Sequence, residues 1–241
     1  MSRTFWKEAV IRLFYPRVCP LCERVIHKDG MFCCPDCQKK LSYMTGPTCM
    51  KCGKPIPSET QEYCFDCRQW ERAFDRGFSV FSYKKVQRPL LAMKEKDRRE
   101  YADFFALELV RRHGKKLLAL EPQVLMPVPI HWSRRLERGY NQTELVAKRV
   151  GRYLDLPVDT HTLIRSSHTN RQKNLNARQR AKNLENAFHI GRNAVRWERV
   201  ILLDDIYTTG ATAHACATAL KKFGVKNVWI ATLACGENAA N

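Results

Sequence analysis

The sequence predicts an α/β fold in which a parallel sheet carries helices on both faces and follows a small cysteine-rich domain. Val200–Leu203 is an apolar run without alternation, which is typical of a central parallel strand covered on both faces. Val124–Pro129 begins in the same way and ends at prolines. Eight of the eleven cysteines form four CxxC pairs before residue 68, which predicts a metal-binding domain in this part of the chain.

The cysteines repeat in a way that predicts two zinc sites. The last two CxxC pairs follow the first two by thirty residues, and eleven residues separate the pairs in each copy. Because two CxxC turns supply the four thiolates of a tetrahedral structural site, we expect two Zn²⁺ ions. The predicted ligands are Cys19, Cys22, Cys34, Cys37, Cys49, Cys52, Cys64 and Cys67.

The pairing of these ligands has two alternatives. Identical spacing favours sequential pairing within each copy, and interleaved pairing between the copies remains open. Disulfides are disfavoured because four CxxC pairs in a cytoplasmic protein suit metal better. Cys33 and His27 fall outside the repeat, so we expect a spare thiol and a surface residue.

The pattern divides the chain of 241 residues into three parts. Residues 1–16 are predicted to form an amphipathic helix, which either packs on the protein itself or contacts a membrane. Residues 17–70 form the double zinc ribbon. Residues 71–241 form the α/β domain, since the cysteine pattern stops near residue 70.

The charge of the chain indicates an anionic partner. Lys and Arg number 42 against 24 Asp and Glu, a formal net charge of +18. A phosphorylated metabolite, a nucleic acid or an anionic membrane surface would each fit, and charge alone does not choose among them. No apolar run approaches the ~20 residues that cross a bilayer, and the first residues lack the features of a signal peptide. We therefore expect a cytoplasmic protein without a stable membrane span.

A polar loop follows the strand at Val200 and is the main candidate for ligand binding. Asp204 and Asp205 come first, and a helical pattern begins after Thr208, Thr209, Gly210, Ala211 and Thr212. Such a loop lies at the carboxyl edge of a parallel sheet, where ligands bind. Its backbone N–H groups and hydroxyls suit a phosphate, and the acids suit ribose hydroxyls or Mg²⁺. The alternative is a helix-capping turn without a ligand.

A basic segment follows the strand at Val124. Arg134 and Arg138 precede a turn at Gly139, and Asn141 and Gln142 open an amphipathic helix. Because one guanidinium group can donate to two phosphate oxygens at once, this segment is a candidate pyrophosphate site. A solvated basic loop is the alternative.

A polar, basic segment follows a strand predicted near Leu156–Arg165. It includes Arg180 and is poor in apolar residues. It could close over an anionic ligand as a lid, or grip a nucleic-acid backbone. The third alternative is an exposed loop that leads into a surface helix at Ala177–Asn186.

Together these motifs resemble the ComF/GntX family. The resemblance rests on the CxxC pairs, on RRLERGYNQ at 134–142, on DDIYTTGAT at 204–212, and on a spaced pattern at Gln172, Leu175, Arg180, Asn183 and Phe188. It implies a type I phosphoribosyltransferase-like sheet preceded by a double zinc ribbon. It further implies that Asp204, Asp205 and residues 208–212 bind phosphoribosyl pyrophosphate (PRPP) with Mg²⁺, and that residues 134–142 line the pyrophosphate side.

Two functions are compatible with this resemblance. The first is a PRPP-binding protein that acts in DNA uptake and natural transformation through single-stranded DNA, with proteins of the uptake machinery as further partners. The alternative is an active phosphoribosyltransferase of nucleotide or small-molecule metabolism, for which the sequence identifies neither the acceptor nor a catalytic residue.

Single-stranded DNA would bind to the basic surface of the protein. That surface is expected to include Arg134–Arg138 and residues 165–182. The zinc domain would extend it through Lys39, Lys40, Lys51 and Lys54. Tyr43 and Tyr63 are expected either to stack on bases or to cover a metal site.

Overall fold

A four-stranded parallel sheet forms the centre of the protein. The computed structural model describes residues 16–28, 30–166, 184 and 186–236. The strands of this part of the chain are β1 (Arg76–Ser82), β2 (Val124–Pro127), β3 (Leu163–Arg165), β4 (Phe188–Ile190), β5 (Arg199–Tyr207) and β6 (Asn227–Cys235). The central sheet has the order β1-β6-β5-β2 with every neighbouring pair parallel, and β3 pairs with β4 in an antiparallel ribbon.

Helices connect these strands and precede them in the cysteine-rich domain. The helices of the described residues are α1 (Pro35–Lys39), α2 (Phe65–Gln69), α3 (Tyr83–Glu95), α4 (Tyr101–Leu118), α5 (Trp132–Arg138), α6 (Gln142–Leu154) and α7 (Ala211–Phe223). None of them combines the length and the apolar character that crossing a bilayer requires.

The side chains of β5 alternate between two buried layers. Ile201 and Leu203 pack with α3, α4 and α6, whereas Val200 and Leu202 pack with α7 on the opposite face. All four have no exposed surface, and burial of each contributes about 1.5–3 kcal/mol to folding. The prediction of a central parallel strand with helices on both faces is confirmed.

The cysteine-rich domain covers β1, which is an edge strand of the sheet. The amide of Met44 donates to the carbonyl of Val80 at 3.0 Å, and the amide of Gly77 donates to the carbonyl of Lys51 at 2.8 Å. Gly53 lies so close to Gly77 that a Cβ on Gly53 would be 2.5 Å from the Gly77 carbonyl oxygen. These contacts fasten the cysteine-rich domain to the sheet and protect part of its edge.

The two halves of the cysteine-rich domain lie on opposite faces of the sheet. Cys19 and Cys34 of the first half belong to the buried layer that contains α3, α4 and Phe81. Cys52 and Cys64 of the second half belong to the layer that contains α7. Each predicted metal site therefore packs against a different side of the main domain.

The basic segment after β2 forms a short helix instead of a loop, and Arg134 and Arg135 on it are exposed to solvent. The ring of His131 accepts the amide of Ser133 at 3.2 Å and so caps the start of α5. Gly139 ends the helix with φ of 75°, a left-handed conformation that favours glycine. The Arg134–Arg138 stretch is consequently held on a short capped helix.

The strand expected near Leu156–Arg165 is restricted to the three residues of β3. The reason is a turn built by Asp159, whose carboxylate accepts the amides of His161 at 2.8 Å and Thr162 at 2.9 Å. The helix expected over residues 1–16, the lid residue Arg180 and most of the helix expected at Ala177–Asn186 lie outside the described residues.

Candidate ligand site and metal centres

Eight cysteines form two clusters with the geometry of tetrahedral metal sites. Within each cluster the four sulfur atoms lie within 4.8 Å of one another, and the clusters are Cys19, Cys22, Cys34 and Cys37, and Cys49, Cys52, Cys64 and Cys67. Sulfur atoms are 3.7 Å apart in the pair Cys22 and Cys34 and 3.6 Å apart in the pair Cys52 and Cys64. A tetrahedron with Zn–S bonds of about 2.3 Å has an edge of about 3.8 Å. The residues therefore fit two Zn²⁺ ions, with sequential pairing.

The surroundings of the first centre favour metal binding. Arg24 Nε donates to Cys22 Sγ at 3.5 Å, and this hydrogen bond lowers the pKa of Cys22 to about 6. Because zinc binds the thiolate, the arginine assists metal binding at neutral pH. Cys33 Sγ lies 3.7 Å from Cys19 Sγ but outside the cluster, and burial raises the pKa of its thiol. His27 is exposed.

The candidate ligand site lies at the carboxyl end of β5, where Asp204 and Asp205 are found. Asp205 is 8% exposed, and its Oδ2 accepts from Gln142 Nε2 at 3.0 Å and lies 2.6 Å from Lys94 Nζ. Asp204 is half-buried, and its Oδ1 accepts the amide of Asp205 at 2.8 Å. The contact between Gln142 and Asp205 brings the two polar motifs of the sequence into one site.

The environment of Asp204 favours its protonated form. Removal from water is the main cause, and repulsion from the Asp205 carboxylate adds to it, so that the pKa of Asp204 is raised to about 7. The positive charges of Lys94 and Arg165 act in the opposite direction. A further cation beside Asp204 would therefore drive off its proton near neutral pH.

Thr208, Thr209 and Gly210 form the loop between β5 and α7. Both threonines are exposed, and Gly210 has φ of 76°, a left-handed conformation directly before α7. The Gly210 cap position supplies no side-chain cap to α7, and the hydroxyl of Thr209 accepts the amide of Ala211 at a long 3.4 Å. The first amides of α7 and the positive end of its dipole therefore suit an anion at this loop, with Ala211 and Thr212 part-buried beside it.

The basic segment contributes to the site through the start of α6. Arg138 Nη1 donates to Gln142 Oε1 at 3.4 Å, while the amide of the same Gln142 holds Asp205. Arg134 is exposed on α5. Gln142 is therefore the predicted residue that contacts the acid pair directly. Arg138 contacts Gln142, and Arg134 lies at the surface.

Asn141 supports the site instead of facing a ligand. Its Oδ1 accepts the amide of Thr143 at 3.1 Å and so caps α6, and its Nδ2 donates to the carbonyl of Val128 at 3.1 Å. Asn141 is 4% exposed. Both polar atoms of its side chain are used to fasten α6 to the end of β2.

Two cations near the acid pair were not assigned to the ligand site from the sequence. Lys94 lies in the last turn of α3, and its place beside the buried Met93 is the one sequence signal for it. Arg165 ends β3, with its guanidinium 5.3 Å from the centre of the Phe188 ring. Burial lowers the pKa of Arg165, and its charge acts on both Asp204 and Arg134. The sequence placed Arg165 only at the start of the basic segment 165–182, which was expected on the DNA-binding surface.

Of the residues expected on a DNA-binding surface, Lys54 is buried, so that prediction is wrong, and Tyr43 is part-buried against the protein. Lys54 is 4% exposed, and its Nζ lies 2.7 Å from Asp66 Oδ2. The Tyr43 ring stacks on Phe81 with centroids 5.5 Å apart, and its hydroxyl donates to the buried Glu108. Both are covered because the cysteine-rich domain packs against β1, which local sequence does not reveal. The exposed members of the predicted set are Lys39, Lys40 and Tyr63.

The fold and the site agree with the class of protein that the sequence resembles. The parallel sheet has helices on both faces, the acid pair lies in β5, and the threonine-glycine loop leads into α7. The eight paired cysteines add a double zinc ribbon. A family model described as "Double zinc ribbon domain" matches residues 10–68.

Relatives extend over most of the chain. Competence protein F of Haemophilus influenzae is 31% identical over 229 residues, which cover 92% of this chain and 98% of that protein. Competence protein ComFC of Bacillus subtilis is 30% identical over 198 residues, covering 79% and 78%. DNA utilization protein YhgH of Escherichia coli K12 is 28% identical over 223 residues, covering 90% and 96%. The chain belongs to this family of competence protein F, ComFC and YhgH proteins, and the resemblance seen in the sequence is confirmed.

Two solved phosphoribosyltransferase structures are also similar. The purine phosphoribosyltransferase from Pyrococcus horikoshii Ot3 has 18% identity and a TM-score of 0.33, covering 56% of this chain and 72% of that one. The orotate phosphoribosyltransferase from Aeropyrum pernix has 17% identity and a TM-score of 0.35, covering 67% and 70%. At such TM-scores neither match supports a statement about ligand or reaction.

Proposed function

We propose that this protein binds PRPP with Mg²⁺ at the carboxyl end of β5, and that it acts in DNA uptake as a cytoplasmic protein that also binds single-stranded DNA. One observation carries the PRPP part: an acid pair and a phosphate-type loop share one sheet edge, with Lys94 and Gln142 on the acid. The relatives are named competence and DNA utilization proteins, which supports the DNA part and suggests uptake proteins as partners.

The loop of residues 208–212 would hold the 5′-phosphate of the ligand. Its threonine hydroxyls are exposed, and its amides open α7 at the positive end of the helix dipole. These hydroxyl and amide groups can donate hydrogen bonds to a phosphate, so the loop does not need a lysine or arginine side chain to bind it. The neighbouring acids favour ribose over a second phosphate, because two carboxylates repel phosphate oxygens.

Asp204 and Asp205 would accept hydrogen bonds from the ribose hydroxyls or hold the metal ion that accompanies PRPP. When bound, Mg²⁺ would neutralise part of the pyrophosphate charge. Asp204 has a pKa raised to about 7 by burial and by Asp205, and a cation at this place would ionise it. Gln142 and Lys94 hold the Asp205 carboxylate in position through a hydrogen bond and an ion pair.

The pyrophosphate would lie toward the cations around the acid pair. Lys94 reaches the site from α3, Arg165 from β3 and Arg134 from α5. One guanidinium group can donate hydrogen bonds to two phosphate oxygens at once, and it keeps its charge at any physiological pH. Three elements would thus contribute positive charge to one anionic group.

Helix α5 supports the proposal of single-stranded DNA binding. Trp132 and Leu136 are 60% and 74% exposed, one helical turn apart, on the same short helix as Arg134 and Arg135. An exposed aromatic ring among arginines offers a stacking surface for bases beside charges for the backbone. Arg135 lies 3.2 Å from Glu144, so Arg134 is the stronger candidate for a phosphate contact.

An active phosphoribosyltransferase with an unknown acceptor is the second candidate. The cations near the acid pair favour it, since they would stabilise departing pyrophosphate in pentosyl transfer. Incubation with PRPP, Mg²⁺ and a panel of nucleobases and amines separates the two candidates. Release of pyrophosphate that depends on an acceptor would establish the enzyme.

Calorimetry with PRPP, with and without Mg²⁺, tests the proposal itself. We expect binding by the native protein and a loss of at least tenfold in affinity for Asp205→Asn, because a charged contact is removed. Thr209→Val should weaken binding through the lost hydroxyl. The matched control is Glu198→Gln, an exposed carboxylate paired with Lys226. No heat and no stabilisation of the native protein at millimolar PRPP would remove the proposal.

A further inference from the structure

Tyr207 lies between the acid pair and the phosphate-type loop, and its ring is buried. The side chain is 3% exposed, although the two residues that follow it are exposed. Gly210 rests directly on this ring, because a Cβ added to Gly210 would overlap the Tyr207 hydroxyl oxygen. Gly210 also has φ of 76°, which ends the loop and begins α7. The Tyr207 hydroxyl therefore packs directly against the backbone of the loop at Gly210.

The other side of Tyr207 faces the second metal centre. Tyr207 belongs to the same buried cluster as Cys52, and Lys54 Nζ lies 5.8 Å from the centre of its ring. Phe74 packs edge-on against the same ring at 6.2 Å. Cys52 is 1% exposed and is one of the four predicted ligands of that centre. One side chain thus separates a metal ligand from the phosphate-type loop.

The second half of the cysteine-rich domain is held firmly in this position. Gly53 abuts Gly77, and the Gly77 amide donates to the carbonyl of Lys51. Lys54 is fixed by Asp66, which lies in α2 between Cys64 and Cys67. The backbone on both sides of Cys52 is therefore anchored, to β1 and to the metal cluster.

We propose that the second metal centre is a structural part of the ligand site, and that Tyr207 is the positioning residue that connects them. A metal ion bound by the four cysteines would fix Cys52 and, through Asp66 of α2, the Lys54 side chain that lies over the Tyr207 ring. The fixed ring in turn holds Gly210, and with it the amides that open α7. The first metal centre packs in the other buried layer and has no part in this connection.

The connection predicts unequal effects of removing the two metal ions. Cys37 and Cys67 occupy equivalent positions in the thirty-residue repeat, so Cys37→Ser and Cys67→Ser form a matched pair. We expect each variant of the full chain to lose one zinc ion by metal analysis. Hydrogen exchange of the amides at 208–212, followed by mass spectrometry, should accelerate at least tenfold in Cys67→Ser and stay unchanged in Cys37→Ser. Equal exchange in the two variants would overturn the proposal.

Tyr207→Phe tests the hydroxyl alone, since it keeps the ring and both metal centres. In protein loaded with Co²⁺, the thiolate-to-metal absorption responds to the arrangement of the sulfur ligands and of the groups packed on them. We expect Tyr207→Phe to retain two metal ions, to shift this absorption, and to bind Mg²⁺ and PRPP about tenfold more weakly. Ligand should shift the absorption of the native protein and not that of the variant. Tyr153→Phe, an exposed tyrosine, is the control.

These two experiments separate this proposal from the PRPP-binding function on which its ligand part rests. Unchanged absorption and unchanged affinity in Tyr207→Phe would remove the role of Tyr207. A native protein that binds no PRPP would remove the proposed function instead. The exchange experiment needs no ligand and then still decides whether the second centre holds the loop.

Discussion

Lys94 Nζ lies 2.6 Å from Asp205 Oδ2, so a lysine at the end of α3 neutralises an acid near the end of β5. Gln142 donates to the same oxygen from the start of α6. A part-buried carboxylate is costly unless it is paired, and this pair therefore belongs to the fold as well as to the ligand site. A bound cation would compete with Lys94 for Asp205 and free the lysine for a phosphate.

Lys94→Met should weaken the binding of PRPP about tenfold, because the site loses a cation that pyrophosphate needs. It should also lower the free energy of unfolding by about 1–3 kcal/mol, since Asp205 is left without its ion pair. Calorimetry and urea denaturation measure the two effects. Lys96→Met, an exposed lysine just after the same helix, is the control. Tighter binding by Lys94→Met would contradict the assignment.

Asp204 should make both ligand binding and stability depend on pH. Its pKa in the folded protein is raised to about 7 from 3.8, chiefly by burial and then by Asp205. Between these values the folded state keeps a proton that the unfolded state has lost, so the stability of the ligand-free protein falls as the pH rises toward 7. Thermal unfolding from pH 5 to 8 should show this fall, and Asp204→Asn should remove it.

The same group should release a proton when PRPP and Mg²⁺ bind at pH 7, because the metal or the ribose favours the ionised acid. Calorimetry in buffers of different ionisation enthalpy measures the number of protons released. We expect a substantial fraction of one proton for the native protein and none for Asp204→Asn. Proton uptake on binding would show that Asp204 stays neutral in the complex.

Trp132→Ala should reduce the affinity for single-stranded DNA about tenfold, since stacking of a base on an aromatic ring contributes about 1–3 kcal/mol. Arg134→Ala should reduce the slope of log affinity against log salt concentration by about 1, the change expected when one phosphate contact is lost. Fluorescence anisotropy with an oligonucleotide at several salt concentrations measures both. Trp70→Ala, an exposed tryptophan after α2, is the matched control. The absence of binding at low salt would defeat the DNA part of the proposed function.

Metal analysis of the purified protein should give two zinc ions per chain. A chelator should lower the thermal stability of the whole chain, because the first centre shares a buried layer with α3 and α4 and the second shares one with α7. Scanning calorimetry with and without chelator tests this. Separate unfolding of the cysteine-rich domain, with the main domain unaffected, would show that the contacts along β1 contribute little.

Local sequence determined the elements whose geometry depends on near neighbours. The CxxC pairs predicted both metal clusters, because each pair forms a turn of four residues, and their identical spacing favoured the sequential pairing that the structure has. The apolar run Val200–Leu203 and the polar residues after it predicted strand, loop and helix in order. These features need no knowledge of how distant segments pack.

Only the tertiary structure decided which side chains meet at the site and which are buried. Lys94 and Gln142 reach Asp205 from two different helices, and Tyr207 packs in one buried cluster with Cys52 of the second metal centre. Their distances depend on the packing of whole elements on β1 and β5, which no local pattern encodes. For the same reason Lys54, a surface lysine by sequence, is covered by the contact of the second metal centre with the main domain.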